Sequence, residues 1–186
     1  MATNQTFSYA LLKTPLPTEE NLQDGANKQM AGFTGLALLR MRGQDCLSRC
    51  FEFEITALSG TPDIEANTLL GEEVSVYGPP DPKNSSRKRY FHGIVDGFSF
   101  SGSDGQGAWR YQLSVRPRLW LLSKTSDNRI FQQKSVKDIV SDVLDQHGVS
   151  AYEWNLRGTL PQREYCVQYG ESDLDFVQRL LEHEGI

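Results

Sequence analysis

The fold of this chain is indicated most sharply by residues 163–186, which read REYCVQYGESDLDFVQRLLEHEGI. Apolar and polar side chains first alternate, as they do in a half-buried strand, and the segment then passes through a turn. Ser172 with an acid three residues later is typical of a helix N-cap, and Gly185 is typical of a helix end. The stretch therefore predicts a short strand, a turn and a capped helix. Because the chain stops one residue after Gly185, we expect the front piece of a longer protein.

Two helices are predicted, near 135–147 and near 172–184. In the first, Ser135 is placed to accept a hydrogen bond from the amide of Asp138, whose carboxylate suits the positive end of the helix dipole. Gly148 suits the left-handed conformation that ends a helix. Apolar stripes at helical spacing predict the buried faces, which comprise Val136, Ile139, Val140, Val143 and Leu144 in the first helix and Phe176, Val177, Leu180 and Leu181 in the second.

The earlier part of the chain is rich in strand patterns. Residues 51–57 and 73–77 alternate apolar and polar side chains, which predicts half-buried strands. Residues 89–100 predict a longer strand that pairs as a hairpin, across the flexible turn 101–107, with the alternating run at 109–115. The fold class is therefore mainly β (α+β), with a barrel or strongly curled sheet and two short helices near the C-terminus.

Glycine and proline mark the irregular positions. The long strand is predicted to bend at Gly93 or Gly97, where a bulge or a close approach of backbone is natural. Residues 78–86 contain three prolines and predict a loop. Residues 1–32 predict a loosely specified N-terminal arm with a short strand near Phe7–Leu12, and residues 33–186 predict one β domain.

Charge and hydropathy limit the function. The 186 residues carry a net charge of −5, which disfavours nucleic-acid binding because phosphate neutralisation needs clustered cations. The basic run Arg87–Arg89 is short and typical of a solvated strand start. No stretch approaches the roughly 18 apolar residues of a membrane helix, so no stable membrane insertion is predicted. The N-terminus lacks a secretory signal, which predicts synthesis in the cytosol and leaves export by a dedicated machine open.

Histidine and cysteine offer few candidates for chemistry. His92 is the best lone catalytic candidate, but no nucleophile is identifiable beside it, so a structural or surface role is favoured. His183-Glu184 resembles the start of a zinc-protease helix without its second histidine. The sequence therefore predicts no catalytic, cofactor-binding or metal-ligating residues, no cofactor and no enzyme. Structural roles are also predicted for the cysteines, which are Cys46, Cys50 and Cys166.

Six motifs, taken together, resemble those of the VgrG proteins, the spike proteins of bacterial type VI secretion. Each motif alone is weak, but their common order and spacing make a specific match. The similarity runs from about Phe33 to Ile186, and residues 1–32 match poorly. The motifs are Phe91–Val95, Leu113–Pro117 with Leu119–Leu122, Asp127–Gln132, Ser135–Ile139, Glu164–Tyr169 with Glu171–Ser172, and Phe176 with Arg179–Glu182 and Glu184–Ile186.

The resemblance implies a structural component of the spike with a β-barrel-like tail-hub tube domain. It implies a hub that docks on a hexameric tube protein and baseplate components and helps to deliver effectors, with effector or adaptor proteins as further partners. The longer parent is expected to be a homotrimer. The protein is then expected in the bacterial cytoplasm before firing, and afterwards secreted or injected into target cells by the type VI machine.

This chain departs from the family pattern by stopping at Ile186. The family continues with a second tube portion, an oligonucleotide-binding-like domain and a trimeric needle, so the domain is expected to be truncated here. An uncovered strand edge would make the fragment prone to associate through its C-terminal region.

Three alternatives stay open. The first is a contractile phage or phage-derived tail hub, the second an adaptor that loads toxins onto a spike, and the third a hydrolase using His92 and a distant acid. Large aromatic side chains are interpreted as core in preference to interface anchors. They are Trp109, Trp120, Trp154, Tyr165 and Tyr169.

Overall fold

The computed structural model describes residues 11–16, 33–78, 89–103, 105 and 107–186. The chain falls into two units, of which the first comprises Met1–Cys46 with Phe51–Pro117 and the second Leu47–Cys50 with Arg118–Ile186. Within the described ranges no helix has the length and apolar character to cross a membrane. Most of the N-terminal arm and of the loop predicted at 78–86 lies outside these ranges, and the domain bounds stay a prediction.

The first unit is a six-stranded antiparallel sheet in the order β1-β4-β5-β6-β3-β2. Its edge strands β1 and β2 also approach each other, so the sheet curls toward closure. This confirms the prediction of a mainly β, barrel-like fold. The strands are β1 (Leu11–Lys13), β2 (Ala37–Gln44), β3 (Glu52–Ser59), β4 (Glu73–Gly78), β5 (Arg89–Ser103) and β6 (Trp109–Arg116).

One face of the curled sheet forms the core of this unit. Met41, Ile55 and Leu113 lie opposite one another on β2, β3 and β6 and are all buried. Because side chains alternate along a strand, the intervening polar residues point to the other face. Each buried aliphatic side chain of this kind stabilises the fold by about 1.5–3 kcal/mol.

Gly93 and Gly97, two of the three glycines of β5, lie where the predicted close approach and bulge occur. The pairing of β5 with β6 shifts register between Val95 and Gly97, which is a bulge. A Cβ atom at Gly93 would lie 2.5 Å from the carbonyl oxygen of Arg116 and 2.8 Å from Cγ1 of Val115. The predicted bulge is therefore confirmed at Gly97, and the predicted close approach of backbone is confirmed at Gly93.

Two strands escaped the sequence reasoning. In β2 a bulge between Leu38 and Arg40 breaks the alternation of two, so the period is lost. The second missed strand, β7, carries mostly polar side chains and therefore shows no apolar alternation. The short strand expected near Phe7–Leu12 is observed at Leu11–Lys13, with the preceding residues outside the described ranges.

The second unit pairs two antiparallel strands and covers one face of them with two helices. Both helices occur where they are predicted. Ser135 and Asp138 form a reciprocal capping box, and Gly185 ends the second helix with φ of 73°. A 3-10 helix, Arg118–Lys124, precedes the first of the two strands. The elements are β7 (Ser126–Ser135), α1 (Val136–Gln146), β8 (Gln162–Ser172) and α2 (Asp173–Glu184).

Replacing Gly93 by Ala is expected to lower the free energy of unfolding by about 1–3 kcal/mol, because the added methyl group meets backbone that cannot yield. Urea unfolding of the purified chain measures this. The matched control is Gly158→Ala, where no atom lies within 4 Å of the added Cβ. Equal effects of the two substitutions would contradict the close-approach explanation.

Candidate functional site

The second unit is organised around the carboxylate of Asp173, the first residue of α2, whose side chain is only 3% exposed. It accepts hydrogen bonds of 2.7 Å from Thr125 Oγ1, His147 Nε2 and Gln168 Nε2. Its fourth partner is the guanidinium of Arg129. A buried carboxylate is costly unless it is paired and hydrogen-bonded, and here both conditions are met.

Arg129 connects all the elements of this unit. From β7 it donates through Nε to Gln168 Oε1 on β8 at 2.9 Å, and it also reaches Gln146 at the end of α1. With the pair to Asp173 on α2, a single side chain joins two strands and two helices. Asp127, 3.5 Å from Arg129 Nε, adds a further negative charge at the exposed end of the cluster.

Gln168 and Arg129 are the residues that sequence reasoning missed. Gln168 follows Cys166 at the inward position of the alternating strand, where an apolar side chain is expected. A polar residue at such a position signals a buried hydrogen-bonded network. In the sequence, residues 127–132 are distinguished only by their similarity to a VgrG motif. The structure shows their role, because Arg129 lies opposite Gln168.

A bulge next to the cluster interrupts the pairing of β7 and β8. Gly170 has φ of 64°, a value that favours glycine, and its amide donates to Asn128 Oδ1 at 3.0 Å. The register of the two strands shifts between Asp127 and Arg129. Side chains alternate along β8 up to the bulge, so Gln168 lies against the helices while Tyr169 lies on the opposite face.

The opposite face of the two strands carries an exposed apolar patch, which we call the ribbon face and define as Ile130, Tyr165, Val167 and Tyr169. Ile130 and Val167 are directly opposed in register. Their exposed fractions are 61% and 39%, and those of Tyr165 and Tyr169 are 54% and 81%. The prediction that Tyr165 and Tyr169 are core residues is therefore wrong. The helices occupy the other face, and this apolar patch is the candidate interaction surface of the unit.

The tryptophans behave differently from these tyrosines. Trp109 and Trp154 are partly buried and pack against the cores of the first and second units, respectively. Trp120 is also partly buried, with Lys124 Nζ 4.3 Å from its ring centroid. The core interpretation therefore holds for Trp109 and Trp154 as contributors at the margin of each core.

His92, the catalytic candidate of the sequence, lies on β5 opposite Ser75 of β4. Its Nδ1 is 2.8 Å from Ser75 Oγ and its Nε2 is 3.6 Å from Glu73. The order of these groups is that of a serine hydrolase triad. However, the histidine and the acid are more than half exposed, and the acid lies beyond hydrogen-bonding distance. The geometry favours a surface hydrogen bond between neighbouring strands.

The remaining candidates are the cysteines and possible metal ligands. Cys46, Cys50 and Cys166 are free thiols, and Cys166 is buried in the core of the second unit, as predicted. Among the residues that the structure describes, no group of three or more histidine, cysteine, aspartate or glutamate side chains is arranged to hold a metal ion. The absence of catalytic, cofactor and metal residues stays a prediction.

A mainly β unit with a helix-backed strand pair is the architecture of a tail-hub protein, and comparison with known proteins identifies the family. Residues 44–186 match the family model of the phage tail baseplate hub. The chain therefore belongs to the phage tail baseplate hub family. The resemblance to VgrG proteins, predicted from the sequence motifs, is confirmed.

Three known proteins illustrate the relationship. The type VI secretion system spike protein VgrG1b of Pseudomonas aeruginosa is 43% identical over 151 residues, which cover 81% of this chain and 20% of that protein. The actin cross-linking toxin VgrG1 of Vibrio cholerae is 36% identical over 77% of this chain and 13% of its own length. The chain thus spans about a fifth or less of these relatives.

Among solved structures, the Escherichia coli c3393 protein is similar with a TM-score of 0.65 and 29% identity, over 81% of this chain and 41% of that one. It is described as a component of the type VI secretion system that resembles the T4 bacteriophage tail proteins gp27 and gp5.

Replacing Asp173 by Asn is expected to lower the free energy of unfolding by about 3 kcal/mol or more, because Arg129, whose side chain is only 14% exposed, then keeps its charge without its partner. Urea unfolding at neutral pH measures the loss. The matched control is Asp175→Asn in the same helical turn, which is exposed and is expected to cost less than about 1 kcal/mol. Similar losses in both variants would show that the buried pair is not the organising interaction.

The Asp173 carboxylate also predicts a pH dependence. Burial raises its pKa, but the hydrogen bonds from Gln168, Thr125 and His147 and the charge of Arg129 outweigh burial and lower the pKa. The stabilisation is therefore complete above the unfolded pKa of about 4 and is lost as the pH falls through the lower folded pKa. The stability difference between the native chain and Asp173→Asn should shrink below about pH 4, and a constant difference would contradict this.

Proposed function

We propose that this chain is a structural hub module of a type VI secretion spike, acting through surface contacts and not through catalysis. The observation that carries the proposal is the ribbon face, an apolar surface on a rigidly backed strand pair in a chain of the baseplate hub family. A hub needs complementary surfaces and a stiff support for them. The buried cluster around Asp173 supplies that stiffness, because it joins β7, β8, α1 and α2 through charged hydrogen bonds.

The proposed partners are a hexameric tube protein, baseplate components, and effector or adaptor proteins, with a homotrimer in the longer protein. The names of the spike relatives support a place in a type VI spike, and the family match supports a baseplate context for these partners. The match to the actin cross-linking toxin covers 13% of that protein. Actin cross-linking is therefore not proposed for this chain. We further propose that the module is made in the bacterial cytoplasm and is secreted by the type VI machine.

Replacing Tyr169 and Ile130 by Ser in the gene, within its bacterial host, is expected to reduce release of the tube protein into the medium by about tenfold or more, because apolar interface anchors dominate association. Both side chains are well exposed, so the purified variant should keep the unfolding free energy of the native chain. Immunoblotting of culture medium and cells measures release.

The matched control replaces Leu47 and Leu70 by Ser, which are exposed apolar residues outside the ribbon face. Release is expected to stay at the native level in this strain. Native release from the Tyr169 and Ile130 variant, or an equal loss in the control, would refute the role of the ribbon face.

A further inference from the structure

The first unit contains an open aromatic groove that the hub assignment does not explain. The groove has a volume of about 700 Å³ and lies between the loop at 62–66 and the adjoining ends of β5 and β6. Its aromatic lining consists of Phe98, Phe100, Trp109 and Tyr111. We call it the aromatic groove. Apolar concave surfaces with a few polar groups are the usual form of binding sites.

The floor of the aromatic groove is rigid. The rings of Phe98 and Tyr111 stack with centroids 5.2 Å apart and planes 9° from parallel, and Phe100 meets Tyr111 edge-on at 5.6 Å. The hydroxyl group of Tyr111 donates to the carbonyl oxygen of Thr61 at 2.8 Å, which ties the floor to the loop. A surface already held in place loses little conformational freedom when a partner binds.

Phe100 is the accessible part of this floor. Its ring lies 6.0 Å from that of Trp109, and the residue is more than half exposed. Exposed aromatic faces that line a groove can stack on apolar side chains and on the guanidinium plane of arginine.

The rim of the aromatic groove is negatively charged. Asp63 and Glu65 both line it, and both are exposed. Among the described residues, no cationic side chain pairs with either carboxylate. Two such carboxylates beside aromatic rings select a cation that can also stack, and arginine combines both properties. Phosphate-rich partners and anionic membranes are disfavoured by the same charges.

We propose that the aromatic groove binds an extended segment of a partner protein in which an apolar anchor side chain is flanked by arginines. The anchor packs on Phe100 and Trp109, and the arginines pair with Asp63 and Glu65. The open shape suits a peptide segment that crosses the surface. This inference concerns a different surface from the ribbon face and does not depend on the proposed function.

The test uses the full 186-residue chain and a fluorescein-labelled octapeptide with the order glycine, serine, arginine, leucine, tryptophan, arginine, serine, glycine. Fluorescence anisotropy measures its binding. The control peptide replaces both arginines by glutamate and should bind at least about tenfold more weakly, since its charges oppose the rim. Equal binding of the two peptides would overturn the proposal.

Variants of the chain locate the binding. Asp63→Asn with Glu65→Gln, and separately Phe100→Ala, should each weaken binding of the basic peptide by about fivefold or more. The matched controls are Glu153→Gln with Glu164→Gln, and Leu47→Ala, all at exposed positions outside the groove, and they should bind as the native chain does.

Retained binding in both groove variants would overturn the proposal. So would equally tight binding of arginine amide alone, because the groove would then be a small-molecule site. Urea unfolding of each variant confirms that the fold is intact, which is expected because the substituted side chains are exposed.

Discussion

The ion pair between Asp173 and Arg129 is the interaction on which the second unit depends. A carboxylate at the start of α2 is buried, and burial is tolerable only because four side chains satisfy it. Arg129 in turn reaches Gln146 and Gln168, so the two strands and two helices share one polar centre. From the strand pair, Phe131 and Cys166 reach the apolar core of the unit, and the polar centre joins the strands to the helices.

The same constraint determines which surface is left uncovered. Because the helices and the polar centre occupy one face of β7 and β8, the ribbon face has no cover within the described part of this unit. Alternation along β8 places Tyr169 on that face beside Tyr165 and Val167. A short strand pair is only marginally stable alone. Because the two helices support it from one side, it can present apolar side chains for assembly on the other.

The sequence predicted those features that depend on local patterns. Alternation revealed β3, and capping residues with apolar stripes revealed both helices, because each signal lies within one element. The strand β7 was missed, since its partly buried residue Arg129 is matched to side chains 17 to 44 positions away. Tyr165 and Tyr169 were assigned to the core because large aromatic side chains are generally buried, and alternation does not say which face a helix covers. Their exposure follows from tertiary packing.

The central claim is that the ribbon face is an assembly surface supported by the Asp173 centre. The most direct measurement places the photo-crosslinking residue p-benzoylphenylalanine at position 169 in living bacteria and identifies the products after irradiation. The account predicts specific cross-links to a component of the secretion apparatus, with none of the same products from position 47. Identical products from both positions, or no product at position 169 in secreting cells, would contradict it.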